Sequence, residues 1–168
     1  MTNRYGLFFI AALLLLIAGC AGVTTKPSGE SAAPAAAELP PPVMSDNRAV
    51  IALLDLARTD NEAGRREAAG ASLERALRIE PRNPWLWHQL AQLRLTQGQY
   101  EQAISLARKS NSFAGHQSRV QSENWQVIGN ARIAQGDAAG AKQAFKRAAD
   151  LAEQAKSEAD HNSGFNVQ

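Results

Sequence analysis

Three patterns of apolar and polar positions follow one another along the chain. Residues 6–18 are apolar without a break, Gly-Leu-Phe-Phe-Ile-Ala-Ala-Leu-Leu-Leu-Leu-Ile-Ala. Residues 21–46 have no bulky apolar pattern and carry Pro27, Pro34, Pro40, Pro41 and Pro42. From Asn47 onward the pattern repeats around three glycines, Gly64, Gly98 and Gly136. Counting back eleven and eight residues from each gives Leu53 and Leu56, Trp87 and Leu90, Trp125 and Ile128. The next residue is small every time: Ala57, Ala91, Gly129. Counting forward five gives Ala69, Ala103 and Ala141, and nine gives Leu73, Ala107 and Phe145. This spacing predicts a helix, a glycine turn and a second helix, three times over. Glycine stops the first helix because a left-handed turn is cheap only there. Small residues let two helices cross closely while a large neighbour fills the hole.

The first two glycines are 34 residues apart and the second pair 38. A 34-residue helix–turn–helix period with W-x-x-L-A, then Gly, then Ala resembles the tetratricopeptide repeat. Ile79-Glu80-Pro81 matches that family's closing proline, and Asn83 with Pro84 reads as a helix cap and first-turn pair. Asp60, Arg94 and Arg132 depart from it, standing four residues before the glycines where the family has tyrosine. Gly115 replaces the closing proline of the second repeat, and four extra residues precede the third. The second helix of repeat two is expected to end near Ser112. A connection over 113–117 follows, and then a helix capped by Ser118 with Gln121 three residues on. Irregular stacking between repeats two and three is the expected result. The last helix, from about Asp137 to near Ala159, is polar and suited to capping the stack. The fold class is therefore all-α: a tetratricopeptide-repeat solenoid of three helix-turn-helix repeats over 47–159, with a longer C-terminal capping helix. Residues 160–168 read as a disordered tail.

The N-terminal apolar run is too short for a bilayer span, which needs roughly 20 residues, and fits the core of a secretory signal behind Arg4. It ends in Leu16-Ile17-Ala18-Gly19-Cys20, which resembles the bacterial lipobox. That resemblance implies a signal peptide over 1–19 and lipid attachment at Cys20. Residue 21 is Ala and not Asp, which by enterobacterial sorting implies the outer membrane, with the protein facing the periplasm. Cys20 is the only cysteine, so no intramolecular disulfide is available. Residues 20–46 read as the lipidated cysteine and a disordered Pro/Ala-rich tether, too poor in bulky apolar groups to offset the entropy of ordering. Such a tether averages roughly 30 Å if flexible and reaches roughly 80 Å in polyproline form.

Composition narrows the chemistry. The formal charge is +2, which argues for neither a nucleic-acid binder nor an enzyme of acidic substrates. The histidines, His88, His116 and His161, are far apart, and no metal-ligand spacing, Gly-rich phosphate loop or G-x-S-x-G occurs. Glu62 with Glu67, and Asp150 with Glu153, read as solvated helix faces. No catalytic residue, metal or cofactor is expected, and the chain does not read as an enzyme.

The resemblance to tetratricopeptide domains implies protein binding along a groove lined by the first helix of each pair. Those positions are Ile51, Leu54 and Arg58, then Trp85, His88 and Gln92, then Glu123, Gln126 and Asn130. Trp85 sits two residues from the pattern tryptophan Trp87, so Trp85 and His88 are expected to form a recognition surface without a packing role. The alternative is that Trp85 packs on the preceding helix or the Pro81 turn. Lipobox, tether and few repeats, together with Asn83–Ala91 and Ala107–Ser112, resemble the LpoP-type lipoproteins of gammaproteobacteria. Those activate a bifunctional penicillin-binding protein, a peptidoglycan synthase. The implied partner is thus a periplasmic protein of that kind, with the membrane reached only through the lipid on Cys20 and no nucleic acid involved. Two other assignments fit the same anchor and fold. One is an assembly lipoprotein of a type IV pilus or secretion system, which normally carries about twice as many repeats. The other is a structural envelope protein without a dedicated partner.

Overall fold

The structure, a computed structural model, describes residues 42–164. The described residues form six helices: α1 (Arg48–Glu62), α2 (Arg66–Ile79), α3 (Pro84–Thr96), α4 (Tyr100–Ala114), α5 (Ser118–Ala134) and α6 (Ala138–Gly164). The signal peptide, Cys20 and most of the tether lie outside the described residues, as do residues 165–168.

The glycine register is realised in all three repeats. Gly64, Gly98 and Gly136 have φ of 74°, 73° and 81°. Each turn is closed by the same pair of bonds. The glycine N–H reaches back three residues, and the following N–H reaches back five, to the carbonyls of Asp60, Arg94 and Arg132 at 2.8–2.9 Å. Those three residues fill the family's tyrosine slot, and their side chains also brace the turn. Arg65 donates to Asp60 at 2.8 Å, Arg94 donates to Gln97 at 2.8 Å, and Arg132 stands 3.8 Å from Asp137. Asn47 and Asn83 cap α1 and α3, accepting from Ala49 and Trp85 N–H, and Pro84 opens α3 as its first residue.

The small and large positions meet as the pattern requires. Ala57 and Leu73 share one core cluster with Leu86, Leu90 and Leu93, while Ala91, Ala107, Ile128 and Ala131 belong to the next. At the third crossing the Phe145 ring lies directly on Gly129, where a Cβ would collide with it. Leu56 departs from this scheme: it is exposed, because no described helix covers that face of α1.

The insertion before repeat three becomes helix rather than loop. α4 runs to Ala114, two residues past the expected end, and α5 starts at Ser118, eighteen residues before its glycine, against fourteen for α3. The four extra residues thus add one turn to the start of α5. Ser118 is not the cap expected of it. It is the first helical residue, buried against α6, and its hydroxyl donates to Glu158 at 2.7 Å. Gln121 turns back to the Gly115 carbonyl at 2.7 Å. Glu158 and the buried Ala155 hold α6 in place, and the helix continues to Gly164, five residues beyond the expected end.

Candidate functional site

The inner face is built by α1, α3 and α5, but its two junctions differ. α3 and α5 pack directly, whereas the α1 and α3 backbones stand further apart. Between α1 and α3 lies a cleft of about 370 Å³ with Leu54, Ala57, Ala69, Leu73 and Leu93 as its apolar floor. Arg58, Asn61, Gln89, Gln92 and Thr96 supply polar groups at its sides. Arg58 is held over it by Glu62 at 3.2 Å and Asp55 at 3.7 Å. A floor of this kind with a few polar groups beside it suits an apolar side chain of a partner.

Arg58 and Gln92 line the cleft, and Ile51, Gln126 and Asn130 are exposed. Trp85 and His88 are corrections. Trp85 is only 7% exposed, packed among Ala114, Val120 and Met44. The helical turn that the insertion adds to α5 carries Val120 over this ring. The expected alternative, packing on the preceding helix or the Pro81 turn, describes Trp87 instead, whose indole N–H donates to Pro81 at 2.8 Å. His88 is fully buried, its ring edge-on to Trp85 at 5.9 Å.

His88 belongs to a buried polar chain whose proton positions follow from its far end. The Pro84 carbonyl can only accept, so the Ser110 hydroxyl donates to it at 2.7 Å. Ser110 Oγ must then accept from Asn124 Nδ2, 2.7 Å away, and Nδ2 also donates to Asn111 at 2.9 Å. That leaves Asn124 Oδ1 facing His88 Nδ1 at 2.9 Å, so Nδ1 carries hydrogen. The other ring nitrogen, Nε2, lies 3.2 Å from Glu123 Oε2, an ion-pair distance without the alignment of a hydrogen bond. Burial pushes the Glu123 carboxyl up, but His88 and Arg119 beside it outweigh this and hold it below the usual carboxylate range. Glu123 is therefore an internal brace of the α3–α5 seam.

Sequence reasoning missed Met44 and Gln89. Met44 lines the cleft, its carbonyl accepts from Asn83 Nδ2 at 2.7 Å, and Gln89 Nε2 approaches its sulfur at 3.8 Å. Ser45 donates to Glu80 at 2.7 Å. The end of the presumed tether is thus part of the folded domain. The apolar pair Val43–Met44 just ahead of the Asn47 cap is its one sign in the sequence. Among the described residues no cluster of His, Cys, Asp and Glu could hold a metal, and no helix is long and apolar enough to cross a membrane.

Paired helices with glycine turns and an inner cleft define the class: a protein-interaction module of stacked helical repeats. Two tetratricopeptide-repeat profiles match, over residues 60–122 and 122–154, and the chain belongs to that family. It is also similar to the globular C-terminal domain of P. aeruginosa LpoP, at 41% identity and a TM-score of 0.60. That match covers 62% of this chain and 98% of that one. The N-terminal domain of C. elegans stress-induced protein-1 (19% identity, TM-score 0.56, 65% of this chain and 93% of that one) shares the fold. So does MamA (23% identity, TM-score 0.55, 62% and 59%). A comparison with curated proteins gives no match.

Proposed function

We propose that the chain is a periplasmic interaction module, anchored to the outer membrane by a lipid on Cys20, that activates a bifunctional penicillin-binding protein. The observation that carries this reading is the similarity to the LpoP domain, 41% identical over 98% of its length. The anchor rests on Ala18-Gly19-Cys20 at the end of the apolar run. On this reading the cleft between α1 and α3 receives the partner, with Arg58 and Gln92 as direct contacts and Gln126 and Asn130 extending the face onto α5. Trp85 and His88 shape it from behind.

The test is glycan-strand polymerisation by the cognate synthase with and without the purified acylated protein. Stimulation is expected. No stimulation of a synthase confirmed active, by a properly folded protein, removes the synthase from the account and leaves a general interaction module. The anchor is tested separately. Cys20→Ala is expected to block acylation and leave an uncleaved precursor at the inner membrane, and normal mobility in outer-membrane fractions would contradict it.

A further inference from the structure

Outside the cleft, one cluster combines aromatic surface with uncompensated charge. Phe113, near the end of α4, is half-buried, and two cations from different elements converge on its ring. Lys109 Nζ lies 4.7 Å from the ring centre, and the Arg82 guanidinium, from the α2–α3 turn, lies 5.8 Å from it. The Trp87 ring flanks Phe113 at 6.5 Å, itself tied to Pro81. None of the four lines the α1–α3 cleft.

Among the described residues no carboxylate is within ion-pair distance of Arg82 or Lys109. Three carboxylates of α2, α4 and the turn between α2 and α3 are engaged elsewhere. Glu80 accepts from Ser45 and Asn83, Glu74 from Arg94, and Glu101 from Gln135. Each cation is attracted to the ring face by the quadrupole of the ring, but two like charges gathered on one ring repel, and an anion between them relieves that. Lipid recognition typically uses four to eight basic residues over a broad surface. Two cations on one aromatic ring fit a single carboxylate better, and aromatic and arginine side chains together are what binding hot spots favour.

We infer that Arg82, Lys109, Phe113 and Trp87 form a second docking point, for an acidic segment of the protein partner. A carboxylate is bound between Arg82 and Lys109, and an adjacent apolar side chain rests on Phe113 and Trp87. This deepens the synthase reading and rests on it for the partner's identity, though not for the chemistry of the site.

The test has two arms. In the first, affinity for the cognate synthase is measured for the acylated protein and for Arg82→Glu/Lys109→Glu, with Lys142→Glu as a charge control on α6. The double reversal is expected to weaken binding at least about tenfold with an unchanged melting temperature. Lys142→Glu is expected to stay within about twofold, as for a remote solvated charge. A double reversal within twofold of wild type overturns the proposal while leaving the synthase reading intact. The second arm needs no synthase. The blocked peptide Glu-Glu-Phe-Glu-Glu is titrated against the isotopically labelled protein, with its Lys-for-Glu counterpart alongside. Shifts at the Trp87 indole, Lys109 and Phe113 with the acidic peptide alone are expected. Equal responses to both peptides, or none, overturn the proposal. So does binding to phosphatidylglycerol vesicles that the double reversal abolishes without any peptide response, which would assign the cluster to lipid.

Discussion

The two junctions of the inner face are built on the same register and come out differently. Ten residues before the glycine stand Leu54 in repeat one and His88 in repeat two; twelve before it stand Leu86 in repeat two and Asn124 in repeat three. The first junction therefore sets Leu54 toward Leu86, two apolar side chains that need contact but no particular alignment. The second sets His88 against Asn124, which is directional, and extends through Ser110 to Pro84. The extra turn of α5 then carries Val120 onto Trp85 and seals the seam. One repeat boundary is left as a cleft and the other is locked, so recognition and rigidity are divided between neighbouring junctions. A buried network of this kind is costly wherever a member loses its partner, which makes it specific and fragile together.

The largest effect is expected from Trp85→Ala. Removing a buried indole from under α5 should cost about 3–5 kcal/mol of unfolding free energy, read by urea denaturation. A cost like that of a surface substitution would mean that the ring does not pack there. Asn124→Leu should come next, at about 2–4 kcal/mol, because it leaves the buried His88 Nδ1–H without an acceptor and Ser110 Oγ without the donor it accepts from. Adding His88→Leu converts this pair to the leucines of the first junction. The double variant is expected to recover about 1 kcal/mol or more relative to additivity, whereas distant independent sites add within about 0.5 kcal/mol.

The seam also carries the acid sensitivity. The folded state holds the Glu123 carboxyl below the ordinary value of 4.5, so its contribution is present above that pH. It is lost as pH falls from there through the depressed folded value. Glu123→Gln is expected to flatten the acid limb of a melting-temperature profile below pH 4.5 relative to wild type. Parallel limbs would contradict the brace. The smallest stability effects belong to the open junction: Arg58→Ala and Gln92→Ala should each change unfolding free energy by no more than about 0.5 kcal/mol. They should nevertheless reduce partner affinity; an unchanged affinity for both would take the cleft out of recognition.

Much of this was legible in the sequence, because local rules dominate where the pattern is regular. Gly64, Gly98 and Gly136 are turn glycines, Asn83-Pro84 is a helix start, and Gly129 is small because Phe145 crosses it. The misreadings cluster at the insertion. Four residues that break a 34-residue period look like loop, yet they continue the helical phase of α5 and bury what the register places on the groove. Trp85 and His88 carry no local mark of this, since the residues that cover and bind them, Val120 and Asn124, lie more than thirty positions further on. Ser118 looked like a cap because its partner, Glu158, is forty residues away. Long-range polar partners have no periodicity to betray them.

The most direct test of the division between junctions is hydrogen exchange of the acylated chain with and without the cognate synthase. The account predicts that the partner adds protection along the cleft-facing stretches of α1 and α3, around Leu54–Asn61 and Gln89–Thr96. The α3–α5 seam around His88 and Asn124 should already exchange slowly in the free chain and change little. New protection concentrated at the seam, with the cleft unaltered while the complex is formed, would contradict it.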